Sequence, residues 1–155
     1  MSITSNKDGF ELLACIAMKE DELRMDEPLA GSYAVIKCGE RYLICFNKWR
    51  KQWEVPAGGR EEGETPKECA MRELFEETSQ IVNDLEFIGL IKVKRPNGEI
   101  KYNPIYYANV GEIIPFEANE ETEKILLWDL IDDIGYMDEV DKEVLEWCKA
   151  ISASG

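Results

Sequence analysis

The 155 residues are enough for one domain with a substantial core, and 45% of them are hydrophobic, a proportion usual for a globular protein. The 32 acidic residues outnumber the 18 basic ones, and the formal charge of −14 argues against nucleic acid or an anionic membrane as a partner, since both are polyanions. The chain contains no histidine, which excludes serine–histidine and cysteine–histidine catalysis and any zinc site with histidine ligands.

Five cysteines are scattered along the chain without a CxxC pair, namely Cys15, Cys38, Cys45, Cys69 and Cys148. Because their number is odd and no signal peptide is recognisable, we expect reduced thiols and a cytoplasmic protein. No apolar run approaches the roughly 20 residues of a membrane-spanning helix, so no membrane partner is expected. The expected oligomeric state is a monomer or a homodimer.

The chain, residues 1–155, is interpreted as a single domain with a frayed amino-terminal end over residues 1–8. The apolar residues 10–18 favour a strand, and the charged residues 19–28 favour a loop. A partly alternating apolar pattern then predicts a hairpin of two strands, over residues 32–38 and 41–47.

The segment from Lys48 to Trp53 concentrates cations and aromatic rings in an otherwise acidic chain. One interpretation is a surface loop with packed indoles. The other is a substrate site in which Trp49 or Trp53 stacks on a base while Arg50 and Lys51 steer phosphates. The position of this segment beside a glycine turn favours the substrate site.

A glycine turn and the start of a helix follow. Gly58 and Gly59 come directly after a proline and an alanine, so the backbone turns there and can approach a ligand closely. Thr65 is expected to cap the helix, with Pro66 at the first helical position and Glu68 closing a capping box. The helix is predicted to continue to residue 78, because its residues are good helix formers.

Three glutamates of this helix, Glu73, Glu76 and Glu77, fall at i, i+3 and i+4 and therefore project from one face. Like charges at this spacing repel, so stability alone does not explain them. An apolar face anchors the helix to a core and is formed by Ala70, Met71, Leu74 and Phe75. The result is a preorganised set of hard oxygen ligands suited to Mg²⁺ or Mn²⁺, although a solvated acidic face is the more common meaning of such a cluster.

Beyond the helix, a turn over residues 95–99 joins two predicted strands, residues 85–94 and 100–110. Residues 115–123 form an acidic loop, and residues 125–130 a last strand. Asp138 is expected to cap an amphipathic helix that ends at Ile151, with a buried stripe of Val140, Val144, Leu145, Cys148 and Ile151. These elements predict an α/β (α+β) fold, a mixed β-sheet sandwiched between helices.

The glycine turn and the acidic helix together carry a longer pattern. It runs from Gly58 through Glu64 and Arg72-Glu73-Leu74 to Glu76-Glu77, with five, seven and one residues in the intervals. This pattern resembles the signature of the Nudix hydrolases over 23 residues, and the preceding Trp53-Glu54-Val55-Pro56 is also similar to that family. The resemblance implies the same mixed sheet between helices, and it favours the MutT-like branch because the chain is one short domain.

The resemblance also implies roles for individual residues. Glu73, Glu76 and Glu77 are expected to bind the metal, with the Ala57 carbonyl and Glu120 as further ligands. Glu73 is alternatively the general base, and a glutamate from a later loop, Glu120 or Glu121, is expected to assist. Arg72 is expected to pair with and orient a carboxylate. The substrate would meet Gly58, Gly59, Trp49, Arg50 and Trp53.

The activity that the resemblance implies is Mg²⁺- or Mn²⁺-dependent hydrolysis of a nucleoside diphosphate linked to another group. A nucleoside triphosphate, standard or oxidised, would give a monophosphate and pyrophosphate. Hydrolysis of ADP-ribose or a dinucleotide is the alternative within the enzyme class. A non-catalytic domain that binds a nucleotide or a partner is the alternative outside it.

Two positions at the end of the helix depart from the family pattern. Ser79 and Gln80 stand where a glycine and an aliphatic residue are usual. The glycine ends the helix in a left-handed conformation, which would cost serine about 1 kcal/mol. Ile81 is expected to fill the apolar position one residue late.

Overall fold

The structure is a computed structural model that describes residues 2–25 and 28–154. In this part of the chain it contains two helices, α1 (Pro66–Thr78) and α2 (Glu139–Ser154). It also contains nine strands: β1 (Thr4–Ser5), β2 (Glu11–Ala17), β3 (Ser32–Cys38), β4 (Arg41–Asn47), β5 (Gln52–Glu54), β6 (Ala57–Gly58), β7 (Glu86–Lys94), β8 (Ile100–Val110) and β9 (Thr122–Trp128).

The nine strands form one mixed sheet. Its main path runs in the order β1-β2-β7-β8-β3-β4-β5, with β6 paired to β3 and β9 paired to β4. The central pair, β3 and β8, is parallel, and its neighbours on both sides are antiparallel. The predicted mixed sheet is therefore confirmed.

The two helices cover opposite faces of this sheet, because neighbouring residues of β3 belong to different cores. Val35 packs in a cluster with residues of α2, namely Val140, Val144, Leu145 and Cys148. Ala34 and Ile36 pack in a second cluster with Ala70 and Leu74 of α1. Successive side chains of a strand point to opposite faces, so each helix buries its own side of the sheet.

Several predicted elements have the observed bounds, namely the strands over residues 32–38, 41–47 and 100–110. The last strand begins at Thr122, three residues earlier than predicted, because Thr122 already pairs with Asn47 of β4 beyond a bulge at Glu123, and it ends at Trp128 rather than at residue 130. Helix α2 extends to Ser154 rather than ending at Ile151.

The amino-terminal end differs from the expected frayed segment. Thr4–Ser5 pair with β2, and the Asn6 side chain accepts the backbone N–H groups of Asp8 and Phe10, which fixes the turn between the two strands. The predicted loop over residues 19–28 contains a 3₁₀ turn at Glu20–Glu22, and its residues 26–27 lie outside the described part of the chain. None of the described helices is both long enough and apolar enough to span a bilayer.

Candidate active site

Helix α1 begins as the sequence predicts. The Thr65 hydroxyl accepts the N–H of Glu68 at 3.1 Å, and the Glu68 carboxylate accepts the N–H of Thr65 at 2.9 Å. Pro66 occupies the first turn, where its missing N–H leaves no hydrogen bond unmade. This capping box fixes where the helix starts and therefore which residues face the glycine turn.

The glycine turn packs directly against the acidic face of α1. A β-carbon placed on Gly58 would lie 2.2 Å from the carboxyl carbon of Glu73, so only glycine leaves room for this carboxylate. The Cys69 thiol donates a hydrogen bond to the Gly58 carbonyl at 3.1 Å. Gly59 has open space around its own Cα. The close contact with Glu73 therefore requires glycine at position 58 but not at position 59.

Arg72 is the centre of an ion-pair network. Its guanidinium lies 2.7 Å from Glu64, 2.9 Å from Glu73 and 3.0 Å from both Glu61 and Glu76. It also donates to the Gly59 carbonyl at 2.8 Å. Hydrogen bonding to Glu64 is the main cause that raises the pKa of Arg72, so the arginine stays charged. The predicted pairing of Arg72 with a neighbouring carboxylate is observed in the structure.

Glu77 has a different environment from the other two helix glutamates. Its side chain is 4% exposed, and its carboxylate accepts the N–H of Ala57 at 3.0 Å. Burial, followed by the nearby charge of Glu73, raises the pKa of Glu77 well above its usual value. Burial also raises the pKa of Glu73, although Arg72 opposes this effect. Two adjacent, poorly solvated carboxylates are thus held against the glycine turn.

The donor set fits a hard divalent cation. In the described residues, no three cysteine or acidic side chains converge closely enough to enclose an ion, because Arg72 holds Glu73 and Glu76 while Glu77 faces Ala57. Within the same part of the chain Glu77 forms no ion pair, so its buried carboxyl group has no cationic partner. A bound divalent cation would reverse the local field that disfavours these carboxylates, and carboxylate oxygens are the ligands that Mg²⁺ prefers.

Glu121 reaches the same site from the loop before β9. Its carboxylate accepts a hydrogen bond from the Asn47 amide at 3.3 Å, and its carbonyl accepts the N–H of Lys48 at 2.8 Å. After burial and the charge of Glu73, the charge of Glu121 also contributes to the raised pKa of Glu77. Glu121 is 52% exposed on its side chain, and the adjacent Glu120 is also exposed. The structure therefore ties Glu121 to the site more closely than Glu120.

The departures from the family pattern attach this acidic loop to α1. Ser79 adopts a left-handed conformation with φ of 67°, as glycine would, and its hydroxyl accepts the N–H of Glu117 at 3.1 Å. The buried Gln80 amide both donates to the Ile114 carbonyl and accepts the Ile114 N–H, each at 2.8 Å. Asn119 donates to the Glu76 carbonyl at 2.9 Å.

The expected role of Ile81 is wrong. Its side chain is 66% exposed, and the neighbouring Gln80 occupies the buried position instead. An amide can be buried there because both of its polar atoms are hydrogen bonded to the backbone of Ile114, the residue that precedes the acidic loop.

The two tryptophans have opposite environments. Trp53 is 6% exposed, donates its indole N–H to the Ile134 carbonyl at 2.8 Å and packs edge-on against Phe46 at 5.3 Å. These contacts assign Trp53 to the core and correct the expectation that its ring is open to a base. Trp49 is 75% exposed, so its ring faces are accessible. Arg50 forms a two-pronged pair with Glu54, at 2.6 and 3.0 Å.

A cavity of about 270 Å³ opens beside the glycine turn. Ala57 lines this cavity and also donates its N–H to Glu77, so the cavity adjoins the carboxylate cluster. Asp141, on its wall, accepts hydrogen bonds from Val55 N–H and the Tyr33 hydroxyl, both at 2.9 Å. Burial is the main cause that raises the pKa of Asp141 well above its usual value. A cavity of this size beside a carboxylate cluster is the expected arrangement of a small-molecule site.

Sequence reasoning missed most of the cavity wall. Gln52 donates to Glu54 at 2.6 Å and to Asp138 at 3.4 Å, and the Asn47 amide lies 3.4 Å from the Glu54 carboxylate. Asp138 was predicted only as a helix cap, a role it does fill by accepting the N–H of Asp141 at 3.0 Å. The signals on this wall were Arg50, predicted as a substrate residue, and Glu54, which lies in the segment that precedes the glycine turn.

Comparison with known proteins agrees with this geometry. The model of the NUDIX domain family matches residues 31–148, which is most of the chain. The protein therefore belongs to the NUDIX family.

The curated relatives are similar over short segments. A Bifidobacterium longum nucleoside triphosphate pyrophosphatase/Nudix hydrolase fusion protein is 29% identical over 83 residues, which are 53% of this chain and 17% of that protein. An RNA pyrophosphohydrolase of Cereibacter sphaeroides is 50% identical over 37 residues, 24% of this chain and 23% of the relative. The chain thus spans less than a quarter of the length of these two relatives.

Solved structures share the fold across most of the chain. A mutant of the Bacillus subtilis pyrophosphohydrolase BsRppH superposes with a TM-score of 0.73 at 20% identity, covering 100% of this chain and 98% of that one. An ADP-ribose pyrophosphatase from Streptococcus suis superposes with a TM-score of 0.60 at 17% identity, covering 81% and 92%. At these identities the likeness concerns the fold.

Proposed function

We propose that the protein is a Mg²⁺- or Mn²⁺-dependent pyrophosphohydrolase that acts on a nucleoside diphosphate linked to another group. The preferred substrate class is a nucleoside triphosphate, standard or oxidised, cleaved to a monophosphate and pyrophosphate. One observation carries the proposal: the buried Glu77 and the adjacent Glu73 lie against a glycine turn whose Ala57 lines a nucleoside-sized cavity. The five free cysteines support the expected cytoplasmic location.

Glu73, Glu76 and Glu77 would hold the metal, with the Ala57 carbonyl as a further ligand. A bound divalent cation supplies charge neutralisation at the diphosphate oxygens and lowers the pKa of a coordinated water. For the carboxylates to converge, Glu76 must leave Arg72, from which it is now 3.0 Å away. Arg72 keeps its contacts with Glu64 and Gly59, and it can therefore still orient Glu73.

The reaction forms one bond and breaks one. A water oxygen bonds to phosphorus, the bond from phosphorus to the bridging oxygen breaks, and the bridging oxygen leaves with its electron pair. The proton of the water passes to a carboxylate, for which Glu121 is our first choice and Glu73 the alternative. Glu121 is half exposed, so its carboxylate can contact water directly. Glu120 lies next to it and would be a further metal ligand.

The nucleoside would extend from the glycine turn into the cavity. The backbone at Gly58 and Gly59 contacts the phosphates, and Arg50 lines the cavity wall close to them. The exposed Trp49 ring is available to stack on a base at the entrance.

Two other substrates have specific support. Hydrolysis of ADP-ribose or a dinucleotide is supported by the fold shared with the Streptococcus suis enzyme of that name. Removal of pyrophosphate from the 5′ end of RNA is supported by the relatives named RNA pyrophosphohydrolase, although the charge of −14 opposes a polyanion.

A substrate screen with Mg²⁺ tests the proposal. Nucleoside triphosphates, ADP-ribose, a dinucleoside polyphosphate and a 5′-triphosphorylated RNA are incubated with wild-type protein and with Glu77→Gln, and products are separated by anion-exchange chromatography. We expect a nucleoside monophosphate and pyrophosphate from at least one triphosphate, with the variant strongly impaired. Binding without turnover of any substrate would instead support a non-catalytic nucleotide-binding domain.

A further inference from the structure

One wall of the cavity is formed by one face of the β7–β8 hairpin. Val93 pairs with Lys101 in the strand register, and both line the cavity. Arg95 and Asn103, each two residues further along the chain from this pair, also line it. Arg95 directly follows the end of β7, and its N–H still bonds to the Glu99 carbonyl at 2.8 Å, so the alternation of the hairpin continues and this wall presents Arg95 and Lys101 together.

These two cations are unusual in this chain. Acidic residues outnumber basic ones by 32 to 18, yet neither Arg95 nor Lys101 forms an ion pair with any residue in the described part of the chain. Both are half-buried. Arg50, the third cation of the cavity, is by contrast neutralised by Glu54. Asp8 also lines the cavity but does not pair with either hairpin cation.

The part of the lining that comes from β5 and the start of α2 has the reverse polarity. Glu54, Asp138 and Asp141 line the cavity there, and all three are buried. A phosphate bound against these carboxylates would be repelled, whereas N–H and O–H donors of a nucleoside would find acceptors. The cavity is therefore polarised, with its two unpaired cations on the hairpin side of its described lining.

We propose that Arg95 and Lys101 bind a second phosphate, esterified to the 2′ or 3′ oxygen of the nucleoside and therefore separate from the 5′-diphosphate that is hydrolysed. This inference rests on the proposed function, since it places the diphosphate at the carboxylate cluster and the nucleoside between the two ends. Half-buried, unpaired cations facing a cavity are stabilised by such a charged ligand. The preferred substrate class is thus a nucleotide with a phosphate at both ends of its ribose.

Binding without hydrolysis tests the inference independently of catalysis. Each of the four common ribonucleosides, and its 2′- and 3′-monophosphates, is titrated calorimetrically into the protein in EDTA at fixed ionic strength. We expect the phosphate at one of the two positions to raise affinity by about tenfold or more, the effect of one charge-assisted hydrogen bond. Affinity equal to that of the nucleoside at both positions, for all four bases, would overturn the inference.

The chain offers a matched control variant. Arg95→Ala and Lys101→Ala should each remove most of the phosphate-dependent gain, and Arg95→Lys should retain part of it. Lys94→Ala removes the same charge from the same hairpin, but Lys94 is exposed and does not line the cavity, so it should keep the full gain. Equal losses in all three alanine variants would indicate a general charge effect and overturn the assignment.

A kinetic comparison separates the two possible sources of the phosphate. Wild type is assayed with a nucleoside 5′-triphosphate, with the same compound carrying a 3′-phosphate, and with a 5′-triphosphorylated dinucleotide that has a 3′-phosphodiester. If only the compound with the 3′-phosphate has a higher kcat/KM than the plain triphosphate, the substrate is a mononucleotide. If the dinucleotide with the 3′-phosphodiester has the higher value, the substrate is the end of an oligonucleotide. If all three are cleaved equally, the inference fails while the proposed function stands. If none is cleaved, the proposed function fails while the titrations still decide the anion site.

Discussion

The carboxyl carbon of Glu73 occupies the space that a β-carbon on Gly58 would need, since the two would be 2.2 Å apart. The glycine turn and the acidic helix therefore pack so closely at this position that one added carbon atom would clash. This contact explains the glycine physically, because the constraint is the room for a carboxylate rather than an unusual backbone angle.

Gly58→Ala should therefore displace Glu73 and lower kcat. A misplacement of about 1 Å at a catalytic group can cost about 10²-fold in rate, and we expect a loss of this order. Gly111→Ala is the matched control, because nothing lies within 4 Å of a β-carbon at that position and the residue is outside the site. Steady-state kinetics of both variants, after their melting temperatures are compared, measures the effect. Equal activity of the two variants would contradict the role assigned to this contact.

The sequence was sufficient for α1 and its cap because the signals are local. Thr65 and Glu68 have the spacing of a capping box, with Pro66 at the first helical position, and strands β3, β4 and β8 followed from turns and apolar patterns. The order of the strands in the sheet was not predicted, nor were the short strands β1, β5 and β6. The role of Trp53 was not predictable, because only the tertiary contact with Ile134 and Phe46 shows that the indole is buried.

The cavity wall was also beyond the reach of local patterns. On this wall Gln52 and Asp138 are separated by 86 residues, and Tyr33 and Asp141 by 108. Such pairs depend on how β3, β5 and α2 meet, which no spacing in the sequence encodes.

The two tryptophans should respond differently to substitution. Trp53→Ala removes a buried indole and should lower the free energy of unfolding by about 3–5 kcal/mol. Trp49→Ala should leave stability unchanged and raise KM by about tenfold to a hundredfold, with little change in kcat, if its exposed ring stacks on the base. Denaturant unfolding and steady-state kinetics on each cleaved substrate distinguish the two. An unchanged KM for Trp49→Ala would mean that the base is recognised elsewhere.

Gln80→Ala should weaken the attachment of the acidic loop to α1. The variant loses two hydrogen bonds to the Ile114 backbone, each with a net contribution of about 0.5–1.5 kcal/mol. Because Glu121 lies at the end of this loop, kcat should fall together with the melting temperature. Ile81→Ala, at the exposed neighbouring position, should change neither quantity. A kcat for Gln80→Ala equal to that of wild type would contradict a contribution of the loop to catalysis.

Asp141 makes stability depend on pH. Its pKa is raised above the usual 3.8 by burial, so between pH 3.8 and the raised value the folded state binds more protons than the unfolded state. The stability that Asp141 contributes is therefore complete below pH 3.8 and is lost as pH rises through the raised pKa. Asp141→Asn removes this titration, so its melting temperature should improve relative to wild type from pH 4 to pH 8. A difference that stays constant or moves the other way would contradict the assignment.

The central claim is that the carboxylates of α1 act through a divalent cation on a nucleotide diphosphate. Its most direct test is the kcat of Glu77→Gln and of wild type on a cleaved nucleotide, each with Mg²⁺ and with EDTA. Glutamine keeps the size of the side chain and removes its charge, and the account predicts a loss of at least about 10²-fold in the variant and loss of wild-type activity in EDTA. Near-normal turnover by the folded variant, or by wild type in EDTA, would contradict it.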